Sequence, residues 1–123
     1  MRLEVIDHAQ LAMPAGQEDS ARHFYGELLG LPEQTKPPHL AVRGGAWFES
    51  ASVKVHLGVD SDFHAARKAH VAFVVDDVEE LRRRATAAGY EVDDDEPLAG
   101  YRRIYVYDPF GNRLEFLQPD GSG

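Results

Sequence analysis

Hydrophobic and polar residues follow two periods along this chain, one of two residues and one of three to four, and the periods recur in the same order twice. Leu3 to Met13 alternates, with Val5, Ala9, Leu11 and Met13 on one side and Glu4, Ile6, His8 and Gln10 on the other, which predicts a strand closed by Pro14-Ala15-Gly16. Ala21, Phe24, Tyr25, Leu28 and Leu29 recur at helical spacing, predicting an amphipathic helix over Glu18 to Leu29 with Gly30 as its stop. Leu31 to Pro38 is rich in proline and reads as a loop or a sheet edge. Leu40 to Arg43, Ala46 to Glu49 and Val53 to Val59 read as three strands, split by Gly44-Gly45 and by Ser50-Ala51-Ser52. In the last of them Val53, Val55, Leu57 and Val59 share a face, and His56 lies on the other.

After a polar, irregular linker over Asp60 to Ala69, the order begins again. His70 to Val75 alternates as a strand, with Val71, Phe73 and Val75 on one side and His70 on the other. Asp76 or Asp77 can cap the next helix, Glu79 and Glu80 suit its first turn, Val78, Leu81, Ala85 and Ala88 give it a buried stripe, and Gly89 ends it. Glu91 to Val92 starts a short strand, and Asp93-Asp94-Asp95-Glu96-Pro97 is a solvated turn. Ile104 and Val106 alternate with Tyr105 and Tyr107, and the chain then meets Asp108-Pro109-Phe110-Gly111-Asn112. Proline holds φ near −65° and glycine accepts positive φ, so a reversal is expected there. The returning strand puts Leu114 and Phe116 on one face and Arg113, Glu115 and Leu117 on the other. Glu115 is therefore a carboxylate in mid-strand, pointing away from the main apolar stripe.

The two halves keep register. Gly30 and Gly89 are 59 residues apart, as are His56 and Glu115, while His8 and His70 are 62 apart, the excess falling in the Pro14-Ala15-Gly16 loop. The expected fold class is α+β: two βαβββ modules, about residues 1–60 and 68–119, forming one domain over residues 1–123. They would form a curved mixed sheet with a concave cup.

Composition narrows the chemistry. A chain of 123 residues with 43% hydrophobic content suits one compact domain. There is no apolar run long enough to cross a bilayer, and the opening residues enter a strand pattern instead of a secretory signal; a cytoplasmic protein without a membrane partner is expected. With no cysteine, any metal ion must be held by histidine and carboxylate. A net charge of −8 opposes a nucleic acid partner, and Arg82, Arg83 and Arg84 read as the solvated face of a helix.

A sheet covered by helices on one face presents the other, and alternation puts His8, His56, His70 and Glu115 on that other face. Imidazole and carboxylate on a shared face are donors for a borderline divalent ion such as Zn, Ni, Mn, Co or Fe, with positions left for water or substrate. The competing reading keeps the histidines as duplicated strand residues and pairs Glu115 with a nearby arginine. Arg103, Tyr105 and Tyr107 share the same face by alternation, and Phe48 corresponds to Tyr107 through the 59-residue offset, so these four are candidates for the substrate pocket. Arg43 and Arg102 could hold a carboxylate or enolate oxygen. His23, His39 and His64 have no assigned role.

The two βαβββ halves, the strand-borne histidine opening each half, and the closing run Asp108-Pro109-Phe110-Gly111-Asn112-Arg113-Leu114-Glu115-Phe116 resemble the vicinal oxygen chelate superfamily, also called the glyoxalase, bleomycin resistance and dioxygenase superfamily. The resemblance covers nearly the whole chain. It implies that His8, His56, His70 and Glu115 bind a divalent metal ion, that His56 and Glu115 are the catalytic candidates, and that the protein is a homodimer, often with the site shared between chains. It also implies a small-molecule substrate with vicinal oxygens or an enolisable carbonyl and lyase or isomerase chemistry. The alternatives are an extradiol-type dioxygenase or a non-catalytic binding protein for a drug-like molecule. His56 departs from the glutamate that resembling glyoxalase I enzymes carry, and stands either as a fourth ligand or as a base.

Overall fold

The computed structural model describes residues 1–121, and the chain divides into two compact units, Met1–His64 and Ala65–Gly123. Each unit carries a four-stranded mixed sheet.

In the first unit β1 (Ala9–Met13) is followed by α1 (Glu18–Ala21), which widens into a π-helical stretch, Arg22–Leu28. The widening shows in the bond from the Leu29 N–H to the Phe24 carbonyl, at 3.0 Å. Then come β2 (Glu33–Gln34), α2 (Pro38–Ala41), β3 (Ala46–Glu49) and β4 (Lys54–Val59). The sheet order is β1-β4-β3-β2, with β1 parallel to β4 and the other pairs antiparallel. The core lies on one face: Leu11, Met13, Phe48, Val55 and Leu57 are buried with Phe24 and Tyr25 of the helix. Tyr25 stacks on Phe48 at 5.7 Å between ring centres.

The second unit repeats the topology. β5 (Ala72–Val74), α3 (Val78–Ala87), β6 (Val92–Asp93), β7 (Tyr101–Tyr107) and β8 (Arg113–Pro119) form a sheet of order β5-β8-β7-β6, again with one parallel pair, β5 on β8. Asp77 caps α3 by accepting from the Glu80 N–H at 3.0 Å, and Val78, Leu81 and Ala85 face inward onto Ile104, Val106, Leu114 and Phe116. Ala88, expected in the buried stripe, is exposed.

Several boundaries differ from the sequence expectation. The first strand starts at Ala9, and residues 3–8 are exposed and unpaired by strand bonds, with Leu3 90% and Val5 and Ile6 85% accessible. Leu40 to Arg43 is not a strand: Pro38 sits at the start of α2, where its fixed φ suits a helix, and Gly44 and Gly45 end the turn with φ of 76° and 82°. Glu33 and Gln34, inside the proline-rich stretch, form the edge strand. Among the described residues no helix is long and apolar enough to cross a membrane.

Candidate metal and substrate site

The turn that precedes Glu115 is built by two side chains. Asp108 Oδ1 accepts from the Phe110 and Asn112 N–H groups at 2.9 and 2.8 Å, and Asn112 Nδ2 donates to Asp108 Oδ2 at 2.9 Å. Asn112 Oδ1 accepts from the Ala66 N–H at 2.9 Å, tying the turn to the segment that leads into β5. Strand bonding then runs from the Glu115 N–H to the Val71 carbonyl at 3.0 Å, placing His70 beside Glu115.

His70 Nε2 and Glu115 Oε1 are 2.8 Å apart, and His70 Nδ1 lies 2.9 Å from the Lys68 carbonyl. A carbonyl only accepts, so Nδ1 carries the proton and donates; Nε2 of a neutral ring then presents a lone pair to a carboxylate lone pair. A cation must lie between them, either a proton or a metal ion. The 2.8 Å separation suits two neighbouring ligands of one ion with bonds of about 2.0–2.1 Å, and a backbone carbonyl fixing the remote nitrogen is the usual outer support of a metal-binding histidine. The donors present therefore fit a divalent ion.

Glu115 has a second neighbour: Arg103 Nη1 stands 3.5 Å from Oε2. Arg103 and Arg113 flank Tyr105, with guanidinium carbons 5.5 and 3.6 Å from its ring centre, and the Nε–H of each arginine is buried without a hydrogen-bond partner. Arg103 Nη2 also donates to the Glu96 carbonyl, and Arg113 Nη2 stands 3.4 Å from Asp95 Oδ2. Burial, and then the Glu115 charge, push the Tyr105 phenol above its ordinary value; burial and the bond to Asp93 do the same to Tyr107. Tyr107 donates to Asp93 Oδ2 at 3.1 Å and lies under Arg67.

In the first unit His8 and His56 are stacked at 4.1 Å, and Trp47 stacks on His56 at 4.4 Å, so the His56 ring is sandwiched between His8, just before β1, and Trp47 of β3. His8 Nδ1 contacts Asp7 Oδ2 at 2.9 Å, an acidic partner that leaves Nε2 for a ligand atom. That bond, and then the Lys54 charge, hold the Asp7 carboxyl below the usual range. His56 Nε2 meets Glu49 Oε2 at 2.6 Å, so this nitrogen is engaged by a carboxylate. The stacked rings of His8 and His56 direct their in-plane lone pairs side by side and do not converge on a common ion. Among the described residues no three histidine or acidic side chains gather as a metal-holding group; the pair whose donor atoms converge is His70 with Glu115.

Phe48 is corrected. It is fully buried against Tyr25 on the helix-covered face, and the open-face residue of β3 is Trp47, opposite His56 as Tyr105 is opposite Glu115. The turn after Tyr107 is one residue longer than that after Glu49, so the 59-residue offset valid for β4 and β8 slips by one on β3 and β7, and one residue of slip exchanges the faces. The sequence reading also missed Asp7, Trp47 and Glu49, and gave no role to Arg113, which it had placed on the Glu115 face. Applying alternation to Ala46–Glu49 by itself would have put Trp47 and Glu49 on the open face.

The family model of the glyoxalase/bleomycin resistance protein/dioxygenase superfamily matches residues 5–116. The chain belongs to this superfamily. Over 98% of both chains this superfamily member is similar, with 42% identity and a TM-score of 0.90, to a Bacillus anthracis structure described as a glyoxalase family protein. It shares its fold with the fosfomycin resistance protein FosX from Listeria monocytogenes (18% identity, TM-score 0.78, 98% and 97% of the chains covered). It does so too with lactoylglutathione lyase from Agrobacterium tumefaciens (22%, 0.65, 89% and 91%). A search of curated proteins returned no match. The glyoxalase-like fold of the sequence expectation is thereby established.

Proposed function

We propose that this superfamily member, one glyoxalase-like domain built from two repeats, is a divalent-metal-dependent enzyme acting on a small molecule with vicinal oxygens or an enolisable carbonyl. The observation that carries the reading is the His70–Glu115 pair: two opposed lone-pair donors 2.8 Å apart, with the remote imidazole nitrogen fixed by a backbone carbonyl. Two protein donors are fewer than the three of ordinary catalytic sites, and the superfamily resemblance adds His8, whose Nε2 is left open by Asp7, as a further donor. The protein is read as a homodimer, for which the exposed Leu3, Val5 and Ile6 provide apolar surface.

A Zn, Ni, Mn, Co or Fe ion held by these residues supplies Lewis-acid polarisation of a substrate oxygen. Glu115 and His70 orient the donor set. Arg103, whose Nη1 stands 3.5 Å from Glu115 Oε2, is the cation placed to meet the charge that develops on oxygen as an enolate forms. His56, with Nε2 engaged by Glu49, keeps Nδ1 for the substrate and is the base candidate in preference to a fourth ligand.

Purified protein is expected to retain about one divalent ion per chain, and Glu115→Ala or His70→Ala to abolish retention, measured by elemental analysis after dialysis. Stoichiometric metal in both variants would sink the assignment. The Arg103–Glu115 contact favours a second reading, a non-catalytic module in which Glu115 is structural. That module would be stabilised thermally by a small molecule equally well before and after removal of metal. An extradiol-type dioxygenase would consume oxygen with a catechol once iron(II) is supplied.

A further inference from the structure

A cavity of about 330 Å³ opens within the first unit, over the same sheet face as His56. Its walls include Gln10, Lys36, Leu40, Arg43, Trp47 and Leu57. Three features of the sequence build it. Proline-initiated α2 carries Leu40 over the sheet. The Gly44-Gly45 turn brings Arg43 to the rim; a Cβ at Gly45 would fall 2.1 Å from the Leu57 carbonyl oxygen, so no other residue lets the turn lie this close to β4. Gly58 leaves room for the Gln10 amide, whose Nε2 lies 2.7 Å from where a Cβ would stand.

The charge of this cavity is opposite to that of the chain. Aspartate and glutamate outnumber lysine and arginine by 21 to 13 overall, yet the cavity walls hold two cations and no carboxylate. Glu18 and Asp19 line a different groove, together with Arg22. Lys36 donates to the Gly44 carbonyl and lies 5.9 Å from the Trp47 ring centre, but neither it nor Arg43 has an ion-pair partner among the described residues. The ammonium and guanidinium thus stand unneutralised beside an indole. One face of that indole is covered by His56, leaving the rest of the ring to the cavity.

We propose that this cavity binds a small organic anion with a flat apolar body, its carboxylate or phosphonate held by Arg43 and Lys36 and its body lying against Trp47 and Leu40. Such a group pairs with a guanidinium in fork geometry, and an apolar wall rewards a body that a bare inorganic anion lacks. The inference rests on the enzymatic reading only in taking this anion as the substrate class; the binding itself needs no metal.

Trp47 is the only tryptophan in the chain, so its emission reports on the cavity directly. The full-length protein, treated with EDTA so that no ion can capture the carboxylate, is titrated with benzoate, phenylphosphonate, acetate and neutral benzyl alcohol, while the metal content of untreated protein is measured separately. Saturable change is expected with benzoate or phenylphosphonate and not with benzyl alcohol; whichever of the two binds more tightly identifies the anionic group. Acetate should bind far more weakly than benzoate. Arg43→Gln, at an exposed side chain without a partner, should keep the melting temperature and weaken binding about tenfold. Equal responses to benzoate and benzyl alcohol, binding unchanged in Arg43→Gln, or no saturable response to either aromatic anion would each overturn the proposal. Loss of anion binding with metal retained removes this cavity alone, and loss of metal with anion binding retained removes the metal site alone.

Discussion

Asn112→Ala tests whether the turn at Asp108 holds the second unit together and sets Glu115 in place. Asn112 is 1% and Asp108 4% exposed, so water does not replace what the substitution removes. The bonds lost include Asn112 Nδ2 to Asp108 Oδ2 and the Ala66 N–H to Asn112 Oδ1, both at 2.9 Å. One involves a carboxylate, which places it in the stronger range of about 1.5–3 kcal/mol, and the other is a neutral bond worth about 1 kcal/mol. The expected loss is about 3 kcal/mol, which for a chain of this size lowers the melting temperature by about 10 °C. Thermal unfolding followed by circular dichroism measures it, with Arg83→Ala on the exposed side of α3 as a control expected within about 0.5 kcal/mol of the parent. A fall of less than about 3 °C for Asn112→Ala would refute the reasoning, because the turn would then stand on its backbone bonds and on Asp108 Oδ1 without help from the Asn112 side chain.

Phe48→Ala should destabilise the chain by about 3–5 kcal/mol by opening a cavity against Tyr25, whereas Trp47→Phe should leave the melting temperature near the parent value; similar losses in denaturant unfolding would contradict the face assignment. The Tyr105 phenol is held above its ordinary value by burial and by Glu115, so folding favours its neutral form: that stabilisation is complete below the unfolded phenol range and is lost as pH rises through the folded value. Ultraviolet titration should show a late tyrosine that titrates earlier in Glu115→Gln, and an unchanged titration would separate Tyr105 from the Glu115 charge.

Much of this protein was legible in local pattern. Alternation within one strand is a property of the backbone, so the opposite faces of Leu114 and Glu115, or of Leu57 and His56, follow from sequence alone. The α3 cap at Asp77 and the reversal over Asp108 to Asn112 are likewise chemistry between near neighbours. What alternation leaves open is where a strand finds a partner. Leu3 to His8 has the same pattern as Ala9 to Met13, but only the latter meets β4. Correspondence between strands was equally out of reach, because a single extra residue in a turn moved Trp47, not Phe48, onto the face of His56.

The sequence by itself therefore determined the repeat and which side chains of each strand share a face, since both depend on periods of a few residues, and it determined the order of elements except between Leu31 and Arg43, where β2 and α2 stand in place of a loop and a strand. Only the tertiary structure decided what those side chains meet. Glu49 reaches His56 across a strand pair, and Lys68 offers His70 a carbonyl. Arg43 and Lys36 converge beside Trp47 without a counter-charge. Each of these contacts depends on the register and turn lengths through which distant segments are brought together, and no local periodicity encodes that.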